Sequence, residues 1–244
     1  MSLPPLSPNA WMRWELIRRE LTTLQPRSVL EVGMGQGALG TRLEEGRRYV
    51  GVEPDDSSRA VAESRLSPAA TVLDDLAALP ATERFDLVCA FEVLEHIEDD
   101  GDALRRWAER IDDNGRMLLS VPAHQHRYGP ADELVGHYRR YNRPDLEAVL
   151  RRTGLDPVRI DAVGFPFGHL LEWGRNLMAA RQLREGDTPE STAARTASSG
   201  RTFQPPAWAS YVTQAGTAPF RLAQLPFRRG DWATGWLVVA RPAA

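Results

Sequence analysis

Residues 29–40 read VLEVGMGQGALG, an apolar run that passes directly into a turn with glycines at 33, 35, 37 and 40. A short apolar run closed by Gly reads as a buried strand. The glycines let the backbone turn tightly into a helix and approach a ligand at that helix's positive end. The same order repeats downstream. Strands are expected at 28–32, 49–53, 71–73, 86–91 and 117–121, with helices at 38–45, 57–65, 92–97 and 102–110. The strands are too apolar to alternate, which predicts a parallel sheet covered on both faces.

Upstream, residues 9–24 carry Trp11, Trp14, Ile17, Leu21 and Leu24 at helical spacing, and Pro26 ends that helix. Downstream, a helix over about 144–153 closes at Gly154, and two further strands are expected at 157–163 and 236–240. About seventy residues separate those strands, so 165–230 reads as an insertion. It opens helix-like and passes through a Ser/Thr/Gly-rich stretch at about 185–203 that reads as a mobile linker. It ends weakly helical, broken by Gly216, Pro219 and Pro226. The expected organisation is one domain: an N-terminal helix at 1–25, a core at 26–164 and 231–244, and the insertion.

Composition narrows the setting. A net charge of −3 gives no electrostatic footprint for nucleic acid. All 30 basic residues are Arg, and Cys89 is the only cysteine, so no intrachain disulfide forms. No apolar run reaches the roughly 18 residues of a membrane span, and the N-terminus lacks a signal-peptide layout. A soluble chain in a reducing, cytoplasmic setting is expected.

The Gly-rich turn has two frames. From Gly35 it spells G-Q-G-A-L-G, the dinucleotide fingerprint of an NAD(P)-dependent oxidoreductase. From Glu31 it spells E-V-G-M-G-Q-G. A carboxylate two residues before the first glycine sits badly beside a pyrophosphate. It suits a ligand with an ammonium and a sulfonium, as in S-adenosylmethionine. Glu53, at the end of the second strand, is placed to bind a ribose diol, which both cofactors contain. Asp74 and Asp75 follow the third strand; one is placed to accept from an adenine amine, and one is expected to cap a helix. The chain has no Lys and hence no Tyr-x-x-x-Lys pair for the oxidoreductase reading. A non-catalytic nucleoside-binding module of the same fold is the third reading.

With VLEVGMGQG, GVEP, DDLAALP, FDLVCAFEVLEHIED and GRMLLSVP in this order, the chain resembles the class I S-adenosylmethionine-dependent methyltransferases, within the broad group that includes ubiquinone and menaquinone biosynthesis enzymes. The likeness covers about 27–155 and resumes at GWLVVARP. It implies a Rossmann-like, doubly wound seven-stranded sheet, mostly parallel with an antiparallel C-terminal strand, and S-adenosylmethionine as cofactor. It further implies that Gly33, Met34, Gly35 and Gly37 line the methionine and ribose. Glu31 would face the amino-acid end, Glu53 the ribose hydroxyls, Asp75 and Leu76 the adenine, and the Phe91 backbone the methionine moiety.

Methyl transfer to an O or N atom needs a positioned acceptor and a base. Two segments hold candidates. EVLEHIED carries Glu95 and His96; the loop VPAHQHRYGPADELVGHYRRYNRPDL carries His124, His126 and His137. His137, His124 and His96 are the candidate bases, since a neutral imidazole takes a proton near pH 7. Within that loop, Arg127, Arg139, Arg140 and Arg143 suit an acceptor that carries phosphate or carboxylate, the alternative being that Arg139 and Arg140 latch the loop through ion pairs with Asp132 and Glu133. No cluster shows metal-ligand spacing. The loop's G-H-Y-R-R-Y pattern resembles a methyltransferase subgroup of glycan, lipid and natural-product assembly, which implies a small-molecule, glycan or lipid-like acceptor; the insertion reads as a lid whose aromatics, Phe165, Phe167, Trp173, Trp208 and Tyr211, suit an apolar or lipid-like one. Its alternatives are a homodimer contact or a peripheral membrane-surface helix.

Overall fold

The computed structural model describes residues 3–185 and 210–243. Its strands are β1 (Ser28–Val32), β2 (Arg48–Val52), β3 (Thr71–Leu73), β4 (Phe85–Phe91), β5 (Ile111–Pro122), β6 (Leu155–Val163) and β7 (Gly235–Pro242). They form one sheet in the order β3-β2-β1-β4-β5-β7-β6. β1 pairs in parallel with β2 and β4, while β7 lies antiparallel between β5 and β6. The expected sheet, with its antiparallel last strand, is the one observed.

The helices are α1 (Pro8–Leu24), α2 (Gly40–Leu43), α3 (Asp56–Arg65), α4 (Asp100–Ala108), α5 (Pro130–Val135), α6 (Arg143–Arg152), α7 (Phe167–Glu185) and α8 (Ser210–Ala223). Ser7 caps α1 by accepting from the Ala10 amide, and the helix stops at Gln25, which is left-handed at φ 47° just before Pro26. Apolar side chains leave both faces of the sheet. One cluster packs Leu30, Val88 and Leu119 against Leu104, Trp107 and Leu146. The other packs Val29, Leu87 and Leu118 against Met12, Leu16 and Ala62. That two-sided burial explains why the strands do not alternate.

Three local expectations change. The helix expected over 92–97 is only a 3-10 turn, Leu94–His96. The helix expected over 38–45 is the four-residue α2. The segment expected to break at Gly216 and Pro219 is one helix, α8, with Pro219 inside it. An interior Pro costs roughly 3 kcal/mol, and here tertiary contacts offset it. Phe220 stacks on Phe167 with centroids 4.0 Å apart. Gln224, buried just beyond the helix, donates to the Met12 carbonyl at 2.9 Å and accepts from the Gly164 amide at 3.1 Å. The linker expected at about 185–203, and Trp208, lie outside the described residues apart from Glu185.

The strand order reverses between β1 and β4, and in open α/β sheets ligands bind beyond the carboxyl ends of strands at such a point. A large cavity opens there.

Candidate active site

The cavity encloses about 1350 Å³ and takes its lining from the ends of β1, β2 and β4, from α1 and from α7. Its donor-like end is built by the turn after β1. Gly33 and Met34 both donate to the Val52 carbonyl, at 2.8 and 3.1 Å, which pulls the turn onto β2. Gly33 stands at φ 69°, and a Cβ there would lie 2.5 Å from Val93. Gly35, at φ 55°, faces open space, as a backbone that lies against a ligand must.

Glu31, Gly33, Met34, Gly35, Glu53, Asp75, Leu76 and Phe91 all line this cavity. Gly37 does not. Its φ of 73° completes the turn, and a Cβ there would meet Ala62 of α3 at 3.1 Å, so its absent side chain serves packing. Gln36 lines the cavity in its place. Gly40, the last glycine of the dinucleotide frame, opens α2 and lies against the Tyr49 ring. That frame therefore has no ligand-facing third glycine.

Glu53 accepts from the Gly35 amide at 2.8 Å and from the Asp55 amide at 3.0 Å, which fixes its carboxylate beneath the turn. Burial raises its pKa in spite of those two bonds. Asp75 is the cap: it accepts from the Ala77 amide at 2.7 Å and faces Arg106 at 3.6 Å. Asp74 lines the cavity beside it.

Glu31 is 2% exposed and accepts from the Tyr49 hydroxyl at 2.6 Å. Burial pushes its pKa up to about 8, the Tyr49 hydrogen bond pulls it down, and nearby Glu53 adds to the rise. A carboxyl this reluctant to ionise fits a site whose missing counter-charge is a ligand cation. The sign for stability follows. A carboxyl raised in the folded state contributes stability fully below its ordinary value of 4.5 and loses it as pH climbs through about 8. Donor-free protein should therefore lose up to about 1.4 kcal/mol per pH unit across that window through this group. Denaturant melts at pH 5.5, 7 and 8 measure it, and Glu31→Gln should flatten the slope.

Two histidines, His96 and His137, line the same cavity. His137 Nδ1 lies 2.7 Å from Asp132 Oδ1, and its Nε2 lies 3.8 Å from Glu95 Oε1. Burial would raise the Asp132 pKa, but hydrogen bonds from His137 and Arg140 hold it down at about 2. An ionised Asp132 fixes the proton on Nδ1 and leaves Nε2 to accept one, the orienting role a carboxylate plays beside a catalytic imidazole. His96 lines the cavity too, edge-on to His137 with centroids 4.6 Å apart. Burial, with His137 beside it, drives its pKa down to about 3, so it is a poor base at neutral pH.

His124 is not brought into the cavity. Its Nε2 lies 2.8 Å from the Asp231 carbonyl and its ring packs edge-on against Trp236, which occupies it structurally. The loop arginines resolve as a latch. Arg140 bonds Asp132 at 2.9 Å and also pairs with Glu172 of α7, as does Arg127. Arg139 pairs with Asp100 at 2.8 Å and Arg143 with Glu147 at 3.4 Å. The latch thus ties the His137 loop to α7.

Spacing alone missed several lining residues. Arg13 of α1 pairs at 3.0 Å with Glu92, which holds φ 58° just after β4, an uncommon conformation for a side chain and one that clusters at functional sites. Arg175 lines the cavity from α7, with burial lowering its pKa. Glu95, His96 and His137 are, among the described residues, a group that could hold a metal ion: one ligand atom of each lies within 4.8 Å of the others. Glu95 is wholly buried, and among the described residues neither of its carboxylate oxygens finds a hydrogen-bond partner. Forty-one residues of chain separate His96 from His137, so no spacing rule exposes the group.

A sheet of this order, a Gly-rich turn after β1 and acids at the ends of β1 and β2 define the S-adenosylmethionine-dependent methyltransferase class. The family model for the methyltransferase domain matches residues 10–160, and the chain belongs to that family. It is 38% identical over 111 residues to a ubiquinone biosynthesis O-methyltransferase of Azorhizobium caulinodans, covering 42% of this chain and 43% of that one. It is 34% identical over 117 residues to the namesake in Bradyrhizobium diazoefficiens, covering 46% of each. The chain thus spans less than half the length of these relatives. An S-adenosylmethionine-dependent methyltransferase from Mesorhizobium loti shares the fold, with TM-score 0.58, 17% identity and coverage of 94% and 97%. So does a magnesium protoporphyrin IX methyltransferase from Synechocystis solved with bound S-adenosylhomocysteine, with TM-score 0.53, 19% identity and coverage of 65% and 79%. No helix among the described residues is long and apolar enough to cross a membrane.

Proposed function

We propose that the protein transfers a methyl group from S-adenosylmethionine to an oxygen of a small hydroxyl-bearing acceptor, with His137 as the general base. The observation that carries this is His137, held by Asp132 and lining the same cavity as Glu31 and the Gly-rich turn. When bound, the donor supplies an already activated sulfonium methyl, so the protein's work is placement and proton removal. Glu31 meets the donor's ammonium, Gly33 to Gly35 give the close backbone surface, Glu53 binds the ribose hydroxyls, and Leu76 and Phe91 offer apolar contact. Asp132 orients His137, whose Nε2 removes the acceptor hydroxyl proton as the oxygen attacks. The O-methyltransferase relatives support oxygen as the acceptor atom.

Helix α7, the described opening of the 165–230 segment, is the lid of this reading. Leu170, Leu171 and Met178 of α7 line the cavity, and Leu170 and Met178 are also exposed to solvent, a wall suited to an apolar or amphipathic acceptor. Arg175 lines the cavity from the same helix as this wall, and its guanidinium favours an acceptor with an anionic group.

Calorimetry with S-adenosylmethionine, S-adenosylhomocysteine and NADH, followed by labelled-methyl transfer to a panel of phenols, catechols and amines, tests the function. Tight binding of the first two ligands and transfer to hydroxyls are expected; binding of NADH alone, or transfer to amines only, overturns it. For Arg175, protein saturated with S-adenosylhomocysteine should bind 3,4-dihydroxybenzoate about tenfold or more tightly than catechol, the scale of one charge-assisted hydrogen bond. Arg175→Gln should erase that preference while leaving catechol binding in place.

A further inference from the structure

We propose that Tyr49 is a positioning residue for the methyl donor: its hydroxyl holds the Glu31 carboxylate in the orientation that meets the donor's ammonium. The inference rests on the role proposed for Glu31. Tyr49 is 1% exposed and does not line the cavity, whereas Glu31 does, so Tyr49 acts only through its neighbour.

The fold makes room for this one contact. Glu31 pairs across β1 and β2 with Gly51, two residues beyond Tyr49 and therefore on the same face of β2. A side chain at 51 would block the ring: a Cβ there would stand 2.9 Å from the Tyr49 hydroxyl oxygen and run into Met34 Sδ. On the other side, a Cβ at Gly40 would stand 2.6 Å from the same oxygen. Two glycines, one on the neighbouring helix α2, thus clear the path along which the phenol reaches Glu31. The hydroxyl's hydrogen-bond partners are Glu31 Oε2 at 2.6 Å and, weakly, Met34 Sδ at 3.8 Å. Phe would fill the same space, so the hydroxyl is explained by the carboxylate it holds.

The charged and titratable neighbours frame the consequence. Glu53 and Cys89 face Glu31, and Glu44 faces Tyr49. All are acids, so the Tyr49 hydroxyl is the neighbour that helps Glu31 ionise. Donor binding joins an ionised Glu31 to a protonated ammonium. Affinity should therefore rise with pH toward about 8 and fall once the ligand's own amine loses its proton.

Binding of S-adenosylhomocysteine by wild type, Tyr49→Phe, Glu31→Gln and the double variant from pH 6 to 9 tests this. Tyr49→Phe should weaken binding about tenfold at pH 7 and move the rising limb to higher pH. In the Glu31→Gln background, the Phe substitution should change affinity less than about twofold, the sign of an effect carried through the carboxylate. An unchanged affinity and pH profile for Tyr49→Phe overturns the proposal. So does the same tenfold loss in the Glu31→Gln background, which would mark a packing effect. If instead Glu31→Gln alone binds as wild type, the role of Glu31 itself fails, and the two failures are told apart.

Discussion

Glu31→Gln should be more stable than wild type at pH 8 in the absence of donor, and should bind S-adenosylmethionine about 30-fold or more weakly. The two effects have opposite sign for one reason. Glu31 is buried, its neighbours Glu53 and Cys89 are acids, and burial holds its carboxyl near pKa 8. Gln has the same shape, still accepts from Tyr49, and carries no charge to desolvate. Donor-free protein therefore gains what the ionised carboxylate costs. Binding loses the partner of a buried ammonium, and breaking a buried charge pair costs about 2 kcal/mol or more, near 30-fold in Kd. Calorimetry and denaturant melts at pH 8 check both halves. A variant that binds the donor normally removes Glu31 from the site; a variant that is less stable removes the electrostatic account of its burial.

His137→Ala should lower kcat about 100-fold or more, the usual worth of general-base catalysis, and leave donor affinity close to wild type. The imidazole is held 2.7 Å from a buried, ionised Asp132 and comes from the loop after β5 rather than from the Gly-rich turn. His124→Gln is the contrast: that ring is spent on the Asp231 carbonyl and Trp236, and turnover should stay near wild type. Steady-state kinetics with an acceptor found in the panel, together with donor calorimetry, decides the matter. A His137 variant with normal kcat would move the base elsewhere, or show that none is needed.

Much of this was legible in the chain itself because it depends on local rules. The alternation of apolar runs with helical patterns specifies a parallel sheet. Glycines at 33 and 35 need left-handed backbone, and an acid two residues before the first argues against a pyrophosphate. Those features place the donor end of the site without coordinates. Gly37 and Gly40 show the limit: they look like their neighbours in sequence, but one is reserved for Ala62 and the other for Tyr49, and only packing distinguishes them.

The acceptor end belongs to tertiary structure. Three histidines were equivalent by pattern. His137 is oriented by Asp132 from five residues away, His96 is desolvated until it loses its basicity, and His124 is turned toward another strand's loop. Arg127 and Arg140 of the same loop are neutralised by Glu172, which reaches them from α7, and Arg139 and Arg143 by Asp100 and Glu147. Arg13 and Arg175 enter the cavity from α1 and α7, far apart in the chain. The sequence by itself determined the strand–turn–helix backbone and the acids on it, because hydrophobic periodicity and glycine dihedrals act between neighbours. Which side chains carry usable charge or basicity was decided by the tertiary structure alone, since desolvation and ion pairing depend on what the fold brings within a few ångströms.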